Sequence, residues 1–100
     1  MNDYKILYSP RSDIMLEAHV EFLSRVSAKA SRNLLKEYFI GIENIKLNPY
    51  GYPYLDERKI YRRYIFYKRY LIIYLVEKFI IYIEYIVDTR QNYFKNIFKS

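Results

Sequence analysis

The stretch Tyr61–Tyr93 decides the fold of this chain, and it reads YRRYIFYKRYLIIYLVEKFIIYIEYIVDTRQNY. It holds three successive runs rich in Ile and Tyr, residue types that favour β-strands. A Glu77-Lys78 pair between the last two runs fits a two-residue hairpin turn. The pattern predicts three antiparallel strands, at Tyr61–Tyr67, Tyr70–Val76 and Phe79–Val87.

A turn at Glu77-Lys78 would pair Leu71 with Glu84 across the last two strands. Because side chains alternate between the two faces of a strand, both faces of this hairpin would be largely apolar. One face would hold Leu71, Ile73, Leu75, Ile80, Tyr82, Glu84 and Ile86. The other face would hold Tyr70, Ile72, Tyr74, Val76, Phe79, Ile81, Ile83, Tyr85 and Val87. Helices can cover one face, and the other needs the segment Tyr93–Phe98 or a partner chain.

The N-terminal half predicts one strand and two helices. Tyr4–Tyr8 is a short apolar run that Ser9-Pro10 ends, and Ser12 is the predicted N-cap of the first helix. Apolar residues and the one histidine recur at spacings of three and four, which places them on one helix face. They are Met15, Ala18, His19, Phe22 and Val26.

Ser27 is the predicted N-cap of the second helix, which ends before Asn48. Its apolar stripe, widened by Leu35 and Phe39, consists of Ala30, Leu34, Tyr38, Ile42 and Ile45. The short connection between the helices predicts an antiparallel hairpin. We therefore expect an α+β domain over residues 1–100, in which a β-α-α-β-β-β chain packs an antiparallel sheet against an N-terminal helical hairpin.

Composition narrows the classes of function. The 100 residues suit one compact domain, and the net charge is +6. From Arg58 to Ser100 there are ten Lys or Arg against three acidic residues, a net of +7, which suits a polyanion or an acidic protein partner. There is no cysteine, and a lone His19 predicts a satisfied helix residue rather than a metal ligand. We expect no cofactor, no metal, no signal peptide, no membrane partner and a cytoplasmic location.

The chain resembles the RelE/ParE superfamily of toxins from type II toxin–antitoxin modules. The resemblance rests on the element order and on four short motifs: Tyr8-Ser9-Pro10, Asn48-Pro49, Arg69-Tyr70-Leu71-Ile72-Ile73-Tyr74 and Asp88-Thr89-Arg90-Gln91. It implies a toxin held inactive by a cognate antitoxin. RelE-like members cleave mRNA on the ribosome, and ParE-like members inhibit DNA gyrase; the fold does not choose between the two.

For an mRNA endoribonuclease, the resemblance implies a 2′-hydroxyl nucleophile, a base and cations on the scissile phosphate. Arg90 matches an arginine that the family places just past the last strand, with Tyr93 beside it, and Arg63 could bind the same phosphate. Glu84 would serve as the base or pair with Arg90 or Arg63. The remaining predicted nucleic-acid contacts are Arg62, Lys68, Arg69 and Gln91.

The sequence departs from the RelE-like pattern at Leu71, where those enzymes carry a second arginine. This departure suits a ParE-like inhibitor, which needs no catalytic base. On the basic sheet, Arg90 and Tyr93 we nevertheless predict the ribosome-dependent mRNA endoribonuclease, with the gyrase inhibitor as the alternative. Cationic side chains at sheet edges also protect against aggregation, so the basic residues have a structural interpretation. A nucleic-acid-binding module without toxicity, and an inactive relative that binds only its antitoxin, stay open as alternatives.

Overall fold

The computed structural model describes residues 3–91. Their elements follow one another as β1 (Lys5–Tyr8), α1 (Pro10–Val26), α2 (Ala28–Leu47), β2 (Arg62–Phe66), β3 (Tyr70–Glu77) and β4 (Ile80–Asp88). This confirms the predicted α+β order. Each predicted strand boundary lies within one residue of the observed one.

The four strands form one mixed sheet in the order β1-β4-β3-β2. Strand β3 pairs antiparallel with both β2 and β4, as predicted. Strand β1 instead pairs parallel to β4, with Lys5 opposite Ile80. A parallel pair needs a long crossover, and here the helices, β2 and β3 provide it. The expectation of a wholly antiparallel sheet was therefore wrong at β1.

The β3–β4 turn lies one residue later than predicted. Glu77 pairs with Ile80, so the turn residues are Lys78 and Phe79, and Lys78 has a φ of 56°. Leu71 consequently lies opposite Val87 rather than Glu84. A left-handed lysine carries no sequence signal comparable to Gly or Asn, and this is why the register could not be predicted.

A β-bulge at Glu84 changes which residues face the helices. Tyr74 pairs with Ile83 but Ile73 pairs with Tyr85, so Glu84 is the extra residue. The side-chain alternation reverses beyond it. Ile83 and Ile86 both pack in the core with the helices, and the predicted faces of Tyr85, Ile86 and Val87 were wrong for this reason.

The corner between β1 and α1 holds the bulge in place. The Ser9 hydroxyl donates to the Glu84 carbonyl over 3.1 Å, and the Ser9 amide donates to the Ile83 carbonyl over 2.9 Å. Ser9 is also the N-cap of α1, accepting from the Ser12 amide at 3.0 Å, with Pro10 in the first turn. Helix α1 therefore begins earlier than the predicted Ser12 cap.

The predicted stripe of helix α1 is confirmed only at Met15 and His19, which pack inward, while Ala18 is exposed. Leu16, Val20 and Leu23 pack against the core cluster. Phe22 and Val26, assigned to the buried stripe, are 58% and 75% exposed. Two apolar stripes overlap on this helix, and helical spacing alone does not say which one faces the sheet.

Helix α2 follows its prediction closely. The Ser27 hydroxyl accepts from the Ala30 amide at 3.1 Å, which confirms the cap. The predicted stripe is buried at Leu34, Tyr38, Ile42 and Ile45. Phe39, expected to widen that stripe, is instead exposed.

The opposite face of the sheet is also buried, at Leu71, Ile73 and Val87. Leu55, Tyr61 and Tyr85 pack against these three residues. The segment Tyr93–Phe98, predicted to cover this face, lies outside the described residues. A hydrogen bond links the segment 48–61 to the sheet: the Tyr74 hydroxyl donates to the Pro49 carbonyl over 2.7 Å.

Candidate functional site at the ends of strands β3 and β4

The β2–β3 turn and the end of β4 are joined at one end of the sheet. The amide and the hydroxyl of Thr89 both donate to the Arg69 carbonyl, each over 3.0 Å. This contact brings Lys68 and Arg69 close to Arg90 and Gln91. Four of the residues predicted to contact nucleic acid or phosphate therefore lie together.

The turn that presents Lys68 is conformationally strained. Tyr67 and Lys68 lie in the three-residue loop between the paired Phe66 and Tyr70 and have φ angles of 45° and 72°. This left-handed conformation favours Gly or Asn, and neither residue is one of these. The left-handed conformation costs roughly 1–2 kcal/mol per non-glycine residue. The Tyr67 ring stacks on Tyr70, with centroids 6.3 Å apart. Strain of this kind is common at binding sites.

Arg90 is held by Asp88 in a two-pronged ion pair. Nε and Nη2 of Arg90 donate to the two carboxylate oxygens of Asp88 over 3.2 and 2.9 Å, and the Arg90 amide donates over 2.9 Å. Asp88 is 4% exposed. Burial alone would raise the pKa of Asp88, but its hydrogen bonds from Arg90 hold that pKa below its usual range. The Arg90 side chain is 55% exposed, so it is fixed yet accessible.

His19 is buried beside this pair. Its Nε2 lies 2.8 Å from the Ile86 carbonyl, which accepts from the ring, and its edge meets the Tyr70 ring at 5.2 Å. The prediction of a satisfied helix histidine is confirmed. Burial lowers the pKa of His19 below 6.5, although the Ile86 carbonyl and Asp88 oppose that shift.

The lowered pKa of His19 predicts that the stability of the fold depends on pH. The unfolded chain takes up the histidine proton near pH 6.5 and the folded chain only at lower pH. The free energy of unfolding should therefore fall as pH drops from about 7 to about 5. His19→Gln should flatten that slope. Urea unfolding of both proteins at several pH values measures it, and parallel pH curves would contradict the assignment to His19.

A groove of about 360 Å³ opens between α1 and this end of the sheet. One wall is apolar and comes from α1; the floor and far rim are aromatic or polar. The lining residues are Ile14, Met15, Ala18, His19, Phe22, Tyr70, Asp88 and Gln91. Arg90 lies beside this groove, because it is paired with the lining residue Asp88. Burial, followed by the charge of Asp88, raises the pKa of Tyr70, and the charges of Arg90 and Arg69 partly oppose that shift.

Arg63 and Arg62 lie elsewhere. Arg63 is exposed on β2 opposite Ile73, on the face away from the helices. Two strand spacings, roughly 10 Å, and several residues of strand length separate it from Arg90. Arg62 donates to the Tyr52 carbonyl over 2.7 Å and lies 4.0 Å from the centre of the Tyr54 ring. Arg62 therefore anchors the loop that precedes β2.

Glu84 pairs with neither Arg90 nor Arg63. Its carboxylate accepts from Arg11 over 3.4 Å, and the Arg11 guanidinium lies 3.9 Å from the centre of the Tyr85 ring. Sequence reasoning missed Arg11 because its contacts span 73 residues along the chain. It also gave no role to Asp88, although an acid two residues before Arg90 at a strand end is a local signal for an Asx-type turn.

Leu71 and Tyr93 are the two remaining positions that the sequence singled out. Leu71, which stands where RelE-like enzymes carry an arginine, is 4% exposed and belongs to an apolar cluster. Tyr93 lies outside the described residues. Within residues 3–91, no group of three or more His, Asp or Glu side chains could hold a metal ion, and neither helix is long and apolar enough to cross a membrane.

Comparison with known proteins finds a solved structure that shares this fold. No protein-family model and no curated protein matches the sequence. Among solved structures, a chain of the chromosomal ParDE TA system from P. aeruginosa superposes with a TM-score of 0.72 at 10% identity, covering 86% of this chain and 96% of that one. The chain has a RelE/ParE-like fold. At that identity the likeness extends to the fold and assigns no residue a role.

Proposed function

We propose that this chain is the toxin of a type II toxin–antitoxin module, neutralised in the cytoplasm by a cognate antitoxin. The observation that carries the proposal is the RelE/ParE-like fold, shared over 86% of the chain with a ParDE chain. The basic end of the sheet, with Lys68, Arg69 and Arg90, supplies a surface suited to an acidic target.

Within this class, we propose inhibition of DNA gyrase by surface binding, as in ParE-like toxins. Among the described residues, two that an mRNA endoribonuclease would need, Glu84 and Arg63, lie away from Arg90. Glu84, the candidate base, is engaged by Arg11, and Arg63 lies across the sheet from Arg90. Leu71 adds no cation. A general base must reach the proton it removes, and Glu84 does not lie at the end of the sheet that holds Arg90.

Ribosome-dependent mRNA cleavage is the second candidate, and a specific observation favours it. Lys68, Arg69, Arg90 and Gln91 form a compact cationic and polar cluster beside a strained turn. The guanidinium group of an arginine can bind two phosphate oxygens at once. In this interpretation Arg90 and Tyr93 stabilise the phosphate and the leaving group, and the ribosome with its mRNA is the partner.

Two assays with the purified chain separate these mechanisms. One measures ATP-dependent supercoiling of a relaxed plasmid by gyrase; the other maps cuts in mRNA on translating ribosomes. We expect blocked supercoiling and intact transcripts. Ribosome-dependent cuts with normal supercoiling would overturn the gyrase proposal in favour of the endoribonuclease. Activity in neither assay would leave no support for either mechanism.

A further inference from the structure

Helix α1 presents a notch on its exposed side. Ile14 and Phe22 are 68% and 58% exposed, and Ala18 lies between them at spacings of four residues. Side chains four apart lie one above another on the same helix face. The small alanine between two large apolar residues leaves a depression that opens into the groove described above.

The groove has the size and lining of a site for one large apolar side chain. Its volume of about 360 Å³ lies at the lower end of the range for binding pockets. The buried residues His19, Tyr70 and Asp88 line the groove together with the apolar residues of α1, and the exposed Gln91 completes the lining. Apolar walls with a few polar groups at the rim bind a side chain and fix its orientation.

Charge distinguishes the two sides of the groove. On the sheet side, Arg90 lies beside the lining residue Asp88. Asp88 engages the Nε and Nη2 edge of Arg90 but leaves that side chain 55% exposed. The helix side carries Glu17 and Glu21, of which Glu21 is paired with Arg25 over 2.6 Å. An occupant therefore gains from a carboxylate at the sheet side and not at the helix side.

We infer that this groove binds a large apolar side chain from an acidic segment of the antitoxin, with a neighbouring carboxylate on Arg90. The inference rests on the proposed function and adds the docking site to it. It replaces the expected docking on the second sheet face, because Leu71, Ile73 and Val87 of that face are buried.

Matched pairs of variants test the groove. Phe22→Ala removes its wall, and Phe39→Ala removes an equally exposed ring, 58% in each case, from α2. Ala18→Trp fills the notch without removing any contact. The probe is the protein encoded in the adjacent reading frame, titrated calorimetrically against each variant after circular dichroism has established its fold.

We expect Phe22→Ala and Ala18→Trp to weaken the complex about 10- to 50-fold, and Phe39→Ala to leave it unchanged. Arg90→Glu should weaken it further and make binding less sensitive to salt. If Phe22→Ala does not fold, Ile14→Ala with Ile65→Ala as control gives the same comparison.

The outcomes separate the inference from the proposed function. No complex with the wild-type chain would overturn both. A tight wild-type complex that tolerates Phe22→Ala and Ala18→Trp would overturn the groove alone. A homodimer of the isolated chain that Phe22→Ala dissociates would assign the groove to a second copy, which also contradicts the inference.

Discussion

Replacing Gly41 with leucine should destabilise the protein by about 3 kcal/mol. A Cβ at this buried position of α2 would lie 2.6 Å from Cε1 of Tyr64 and 3.2 Å from Cδ1 of Ile72. The Tyr64 ring has little freedom to move, because its hydroxyl accepts from Asn44 at 2.8 Å and its ring meets Tyr52 at 4.9 Å. Leucine would therefore push α2 away from the sheet. Urea unfolding measures the change.

Gly41→Ala and Ile40→Leu are the controls for this prediction. Alanine brings the same Cβ against Tyr64 but adds no further atoms, and it favours the helix by about 1 kcal/mol over glycine. Gly41→Ala should therefore destabilise the protein less than Gly41→Leu. Ile40 is 44% exposed on the same helix, and leucine there should change little. Equal stability of Gly41→Leu and wild type would mean that α2 does not pack against β2 as closely as described.

If the chain is the toxin proposed above, Arg90→Ala should relieve its growth arrest, lowering affinity for the target roughly 30- to 100-fold. Arg90 is an accessible cation at the end of the sheet, and Asp88 fixes its direction. Removing it also leaves the buried Asp88 carboxylate without its cation, so loss of stability could imitate loss of function. Viable counts after induction, with protein levels measured in parallel, test the prediction.

The double variant Asp88→Asn with Arg90→Ala is the control for stability, since it removes the unpaired buried charge. The double variant should be no more toxic than Arg90→Ala, and it should recover part of the stability that Arg90→Ala loses. Arg63→Ala removes an exposed arginine on the other face and should stay toxic. Full toxicity of Arg90→Ala would exclude Arg90 from the target surface.

Sequence periodicity predicted most of the fold because the strands and α2 carry strong local signals. The runs of Ile and Tyr defined β2, β3 and β4 to within a residue, and Ser27 marked the start of α2. Periodicity failed where a distant residue decides the local geometry. The bulge at Glu84 depends on Ser9, 75 residues away, and its reversal of the faces has no local sequence signal.

The candidate site was predictable only in part, for the same reason. Lys68, Arg69, Arg90 and Gln91 gather at one end because a hairpin turn and a strand end are adjacent in an antiparallel sheet. The pairing of Glu84 with Arg11 requires knowing that the start of α1 crosses the bulge. The groove depends on which of two apolar stripes α1 turns outward, and the sequence pattern supports both.

The most direct test of the central claim is induction of the wild-type chain in a bacterial host, alone and with the protein from the adjacent reading frame. The account predicts growth arrest with the chain alone and normal growth when the two are expressed together. Normal growth at high levels of the folded chain alone would contradict the claim that it is a toxin.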